Sequence, residues 1–210
     1  MGVELPSDAE IVVRLRASDE KLFALLVDQW SGGMVRVALT YVPNREAAED
    51  VVQETWLAVL SGLDGFAGRS SLRTWIHAIL INKAKTLGIK ESRTLPVADT
   101  AAPAVNPLAF QNSAEPHPGH WRQAPAAWPS PESKAEEGEL VRHLDDAITE
   151  LPPRQRQVLV LRDVQGFTAH EVSAAMDISL ANQRVLLHRA RSAVRARLAT
   201  YLTPERGAAR

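Results

Sequence analysis

The chain has 210 residues, 24 lysines and arginines against 25 acids, a formal net charge of −1 and no cysteine. That length holds one ordinary domain or two small ones, and the lack of thiols excludes disulfides and thiolate zinc sites, as fits a reducing cytoplasm. No apolar run approaches the roughly 20 residues that span a bilayer, the acidic start "MGVELPSDAEIVV" is no secretory signal, and any attraction to nucleic acid must come from charge asymmetry within the chain.

Residues 7–93 read as helix after helix. "SDAE" is a capping box, in which Ser7 caps and Glu10 reaches back, opening a helix through about Ala17. "KLFALLVDQWSGGMVRVALTYV" repeats its apolar positions at three and four, with Gly32-Gly33 expected to break or kink it. Asn44 caps "REAAEDVVQETWLAVL", which Gly62 ends; "DGFAGRS" is a glycine-rich loop, and "SLRTWIHAILINKAKTLGIKESR" is a long last helix. The alternation of a strand is missing throughout.

Residues 94–135 hold eight of the thirteen prolines, and each removes a backbone donor and biases its predecessor away from helix. They predict an extended or disordered linker. Phe110, Trp121 and Trp128 are unusual for such a segment, and would dock either on the protein's own surface or on a partner.

Helices resume with "EEGELVRHLDDAITEL", "PRQRQVLVLRDV" and "TAHEVSAAM". Thr168 with Glu171 forms a second capping box, "MDIS" is a tight turn, and Ser179 caps the helix that follows. A short helix, a tight turn and a longer helix make a helix-turn-helix pattern. The chain is therefore expected to be all-α, with two small helical domains, 7–93 and 136–202, joined by the linker 94–135.

The last helix, within "ISLANQRVLLHRARSAVRARL", contains no acid. At 3.6 residues per turn Leu187, Ala190, Val194 and Leu198 share a core face, while Arg184, His188, Arg191 and Arg195 share another, bordered by Arg189. A solvated face normally mixes signs; this one suits duplex DNA, where arginine neutralises phosphates or grips a guanine edge. The helix from Arg45 carries the opposite charge, with Glu46, Asp50 and Gln53 on a stripe and Glu49 and Glu54 beside it. A carboxylate metal site would need Glu-x-x-His pairs, and none exists here. A solvated surface and a docking surface for another protein both remain open.

"AEDVVQETWLAVL", "GRSSLRTWIHAILINKAK" and "LPPRQRQVLVLRDVQGFTAHEVSAAMDISLANQRVLLHRAR" together resemble the extracytoplasmic-function class of bacterial sigma factors. The resemblance rests on Asp50, Gln53, Glu54, Thr55 and Trp56, then Trp75 and Asn82, then the frame Leu151, Pro152, Arg156, Leu161, Arg162, Gly166 and Glu171. It implies a protein that binds RNA polymerase core, through the clamp coiled coil and the flap, and makes it promoter-specific. Asp50, Gln53, Glu54 and Trp56 would then contact the clamp. Arg69, Ser70, Ser71, Trp75, Asn82, Lys83 and Lys85 would read the −10 element as a single strand, a flat aromatic replacing a lost stacking partner. Trp75 also lies on an apolar stripe with Ile79, so a core position stays open. Ser179, Asn182, Arg184, Val185, His188, Arg189 and Arg191 would read the −35 element as duplex.

Departures from the family pattern bear on specificity. Val185 and Leu186 stand where many relatives have a small hydroxyl and a basic residue, and Asn182 and Gln183 replace a usual threonine and valine. Valine touches a thymine methyl but forms no hydrogen bond. "GIKES" is less basic than in many relatives, which weakens phosphate contacts near Lys90 and Arg93. The resemblance implies promoter elements roughly 20–25 base pairs apart, about 70–85 Å of duplex. The 42 residues of 94–135 reach at most about 140 Å, enough for that span.

It also implies promoter DNA and an anti-sigma factor as partners, with no cofactor and no membrane insertion. The rival reading is a regulator that binds operator duplex without polymerase, but it leaves Asp50–Trp56 and Trp75–Asn82 unexplained. An enzyme is disfavoured: no phosphate-binding Gly-x-x-x-x-Gly-Lys loop, nucleophile elbow or His-Glu-x-x-His is present. His117 and His120 in "HPGH" lack a third ligand nearby.

Overall fold

The computed structural model describes residues 5–92 and 134–202. Phe110, Trp121, Trp128, His117, His120 and Arg93 lie outside the described residues, as does the side chain of Lys90. Among the described residues every regular element is helical: α1 (Asp8–Arg16), α2 (Glu20–Ala38), α3 (Arg45–Gly62), α4 (Leu72–Ser92), α5 (Lys134–Thr149), α6 (Pro153–Leu159), α7 (Ala169–Met176) and α8 (Leu180–Leu202). The all-α expectation holds.

Side-chain oxygens start these helices by accepting from otherwise unpaired first-turn amides. Asn44 Oδ1 takes the Ala47 N–H at 2.8 Å, and Ser179 Oγ that of Asn182 at 3.1 Å. Ser7 Oγ accepts from Glu10 N at 3.4 Å, but the Glu10 carboxylate turns along α1 to within 3.9 Å of Arg14 instead of reaching back. At Thr168 and Glu171 both halves of the capping box form.

The expected break at Gly32-Gly33 does not occur, and α2 runs through both. A Cβ at Gly33 would lie 2.6 Å from Gln165 Oε1, so this glycine admits a neighbour rather than bending the helix. The segment expected as one helix from Pro153 changes pitch. Val160–Val164 forms a π turn, with Gln165 N donating to Val160 O at 2.9 Å. Such widened turns are uncommon and often accompany functional positions.

By contact the described residues form two units. The first holds α1 to α4 together with Val160–Gln183; the second holds α5, α6 and α8 from Arg184. The first unit is built on α4, whose Leu72, Ile76, Leu80, Ile81 and Ala84 are fully buried. The leucines and isoleucines among them each stabilise by about 1.5–3 kcal/mol on leaving water. Asp8 holds the start of α4, its Oδ2 accepting from Leu72 N at 2.7 Å. In the second unit Leu187, Ala190, Val194 and Leu198 are buried, as their spacing predicts. Arg197 pairs with Glu150 at 3.1 Å, and Arg156 donates to Thr149 O at 3.2 Å.

Polar and aromatic groups fasten residues 165–171 to α4. Ser71 Oγ and Thr74 Oγ1 lie 3.2 and 2.6 Å from Glu171 Oε1, while Glu171 Oε2 accepts from Thr168 N at 2.8 Å. Arg73 donates to Gln165 Oε1 at 3.1 Å and its guanidinium lies 4.7 Å from the Phe167 ring centroid. The edge of His77 meets the same ring at 4.7 Å, and its Nδ1–H donates to Arg73 O at 2.9 Å. Burial, reinforced by the Arg73 charge, pushes the imidazole down to about 4, so it packs as a neutral ring.

Gln183 is a buried polar side chain whose whole amide is unsatisfied. It is fully buried, and neither its Nε2 nor its Oε1 has a hydrogen-bond partner among the described residues. Unpaired buried polar groups cost about 1–3 kcal/mol. Gln183→Leu is therefore expected to raise the midpoint of chemical denaturation, by about 1–2 kcal/mol of stability; an unchanged or lower midpoint would contradict this. Glu171 gives a pH prediction. Burial alone would raise its pKa, but hydrogen bonds from Thr74, Thr168 and Ser71 outweigh it and bring the value from 4.5 down to about 2. A carboxylate depressed by folding adds stability that is full above 4.5 and is lost as pH falls toward 2. The melting temperature should thus fall more steeply across that window in the wild type than in Glu171→Gln, and parallel curves would contradict the network.

Candidate functional site

The residues singled out by sequence fall on three surfaces. The first is the outer face of α3, where Asp50, Gln53 and Glu54 are exposed. The opposite face buries Val52, Thr55 and Val59, so the core fixes which side chains point outward. Trp56 belongs to the buried side. It is only 6% exposed, stacks on Trp30 at 6.4 Å, meets Phe23 edge-on at 5.5 Å, and donates from Nε1 to Ser31 Oγ at 3.1 Å. In place of its ring the surface shows Leu57, 68% exposed, and Leu60, 45% exposed. Sequence reasoning missed both, although each lies off the Val52–Thr55–Val59 stripe.

The second surface runs from the loop after α3 along α4. Arg69 and Ser70 are exposed on that loop, and Ser71, half-buried, caps α4 by accepting from Thr74 N at 3.1 Å. Trp75 is half-buried: its ring lies 5.3 Å from that of Phe66, with Gly62 beside it. It therefore flanks the α4 core stripe instead of forming it, as does Ile79. Asn82 is seven residues on, about 10 Å along the helix, and is exposed. Lys83 and Lys85 are half-buried.

The structure brings parts of these two surfaces together. Lys83 Nζ pairs with Glu54 Oε2 at 3.1 Å across α3 and α4. Asp50, Val51, Glu54, Ile79, Asn82 and Lys83 line one cleft of about 570 Å³. Apolar walls with a rim carrying both charges suit a polar partner with an apolar anchor. Among the described residues no group of three or more His, Asp or Glu could hold a metal ion.

The third surface is α8. Asp177 at φ 55° turns the chain after α7, and Ser173 Oγ donates to Ile178 O at 2.5 Å, so the turn is fixed from within. Asn182, Arg184, Val185, His188, Arg189 and Arg191 are exposed on the helix that follows, and Ser179 is exposed at its cap. Six of these seven carry a donor or a positive charge suited to phosphate or a base edge, and none is acidic. Val185, 47% exposed, is an apolar side chain in their midst.

Among the described residues no helix is long and apolar enough to cross a membrane. The Sigma-70 region 2 family pattern matches residues 26–94, and that of Sigma-70, region 4 matches residues 142–194. The ECF RNA polymerase sigma-E factor of Escherichia coli (strain K12) is 29% identical over 188 residues, covering 90% of this chain and 92% of the relative. The protein of that name from Haemophilus influenzae is 27% identical, covering 90% and 93%. The fold is similar to that of CnrH in complex with the cytosolic domain of CnrY, with a TM-score of 0.59 at 19% identity over 93% of this chain and 99% of that one. It is likewise similar to the sigma factor RpoE in complex with the anti-sigma factor NepR from Bartonella quintana, at 0.57 and 20% over 84% and 96%. Two helical modules in this order, each matched by its own region of the family, place the chain among the extracytoplasmic-function sigma factors of the sigma-70 family, whose members direct transcription initiation.

Proposed function

We propose that the chain binds RNA polymerase core through α3, reads a −10 element as a single strand with the loop 66–71 and α4, and reads a −35 element as duplex with α8. In this reading residues 7–93 and 136–202 are separate DNA-reading modules, and 94–135 spans between them. The observation that carries it is the segregation of charge by helix. The α3 face offers Asp50 and Glu54, whereas the outward residues of α8 from Asn182 to Arg191 include no acid in a chain of net charge −1. An acidic face repels DNA and suits a protein partner; an acid-free basic helix after a capped turn suits a groove.

On α3, Gln53, Leu57 and Leu60 complete the docking surface, an apolar centre beside carboxylates, with Trp56 bracing the helix from below. On α4, Trp75 supplies a half-exposed ring for an unstacked base, and Asn82 an amide for its edge. On α8, Arg184, His188, Arg189 and Arg191 engage phosphates and base edges, Asn182 and Ser179 assist, and Val185 adds apolar contact to a thymine methyl. An anti-sigma factor is a further partner in this reading, as NepR is for the Bartonella RpoE.

Docking is tested by Asp50→Lys with Glu54→Lys. Exposed carboxylates on a helix contribute little to folding, so stability should change by less than about 1 kcal/mol while co-purification with core polymerase is lost. Retained binding by the folded double variant would sink the assignment. For α8, Arg184→Ala should weaken promoter binding by about 1–3 kcal/mol if it reads a base. Val185→Ser should shift base preference at one −35 position without altering the salt dependence, as measured by selection from a randomised −35 library at two salt concentrations. An unaltered preference would mean that α8 sits in another register.

A further inference from the structure

We propose that α1 is a strut for the −10-reading loop: its last residue, Arg16, fixes where the loop leaves α3, and its first, Asp8, fixes where the loop enters α4. Both are then positioning residues that decide how sharply the loop discriminates the bases it meets. The inference rests on the reading of loop 66–71 as a strand-contacting segment given above.

Both ends of the loop are held by this one short helix. The Arg16 guanidinium donates to Leu63 O at 3.2 Å and to Asp64 O at 3.4 Å, and its Nε lies 3.3 Å from Asp64 Oδ1. At the far end Asp8 Oδ2 accepts from Leu72 N at 2.7 Å. The signs suit the helix ends they meet. A cation stands on carbonyls where α3 runs out into the 3₁₀ turn Leu63–Gly65, and an anion stands on an amide where α4 begins.

The strut is itself firmly held. Ile11, Val12 and Leu15 are buried in the first unit. Arg14 Nε and Nη2 lie 2.9 and 2.8 Å from Asp19 Oδ2, and Asp19 caps α2 by accepting from Leu22 N at 3.0 Å. Asp8 and Arg16 are eight positions apart, about 12 Å along the helix axis. The eight steps from Asp64 to Leu72 reach up to about 29 Å when extended. A segment held at both ends of so short a helix cannot run straight and bows outward, and Ala67–Ser70 are exposed along the bow.

Little within the bow fixes its shape. The Phe66 ring rests 5.3 Å from that of Trp75, but beyond it Gly68 turns at φ 66° and Ser70 Oγ donates to the adjacent Ser71 O at 3.3 Å. The separation and direction of the two ends therefore set how Arg69 and Ser70 are presented. A loop whose ends wander adapts to any base and must be ordered on binding, so it loses discrimination before it loses contact. Stability does not account for the Arg16 contact: the Asp64 side chain is 94% exposed, and such pairs add little to folding.

The test uses the full chain assembled with core polymerase, and a pool of single-stranded DNA randomised across the length of a −10 element. Selection gives the discrimination at each position, and Arg69→Ala with Ser70→Ala marks the positions that the loop reads. Asp8→Ala and Arg16→Ala should each lower discrimination at those same positions by about fivefold or more, the low end of what one good base contact distinguishes. The remaining positions should stay within about twofold, because distant and independent contacts are separable. Asp8→Asn, whose side-chain oxygen still accepts from Leu72 N, should restore the wild-type pattern. Arg16→Ala carries the test where Asp8→Ala fails to fold, since Arg16 is exposed. Unchanged discrimination in Arg16→Ala, or a loss spread evenly over all positions with a lowered melting temperature, would overturn the strut while leaving the loop's role intact. If Arg69→Ala with Ser70→Ala marks no position, the reading of the loop itself fails, and the strut with it.

Discussion

Packing of one helix sets the geometry of the whole first unit. Once Leu72, Ile76, Leu80 and Ala84 of α4 are buried, every other position on that helix is committed. Trp75 and Asn82 must lie toward the outside, and Lys83 must face α3, where it meets Glu54. Ser71 must stand at the amino end, where unpaired amides and hydroxyls gather. Asp8 and Glu171 bring carboxylates to this end of α4 from opposite directions in sequence. Apolar burial thus decides where polar chemistry is displayed, and the helix terminus decides which sign of charge collects there.

The same logic separates the chain's charges. A nearly neutral protein would gain little long-range pull toward DNA from its total charge, so the distribution must do the work. α3 turns acids and two exposed leucines outward; α8 turns arginines outward around a single valine. The two faces are opposite in character, and each is fixed by the apolar stripe on the back of its own helix.

What was legible in the sequence follows the range of the interactions. Caps at Ser7, Asn44, Thr168 and Ser179 act within three residues, and all four form. The core face of α8 follows from a repeat of three and four, and Leu187, Ala190, Val194 and Leu198 are buried. Gly33 misled because its reason lies 132 positions away, in a glutamine that needs the space its missing side chain leaves. Trp56 looked like part of an exposed motif, but its ring fills the gap beside Trp30 and Phe23. The bond from Ser71 to Glu171 joins residues 100 positions apart. No local pattern announces it, since Glu171 already had a complete local explanation as a capping residue.

Promoter-specific initiation by this chain is tested most directly by transcription in vitro with core polymerase over a template library randomised across both promoter elements. The account predicts transcripts only when the chain is present. It predicts, too, that they start from templates sharing two short sequence segments at one fixed spacing, with the downstream segment melted as judged by permanganate reactivity of its thymines. Enrichment of a single duplex segment without melting, or initiation independent of the chain, would contradict it.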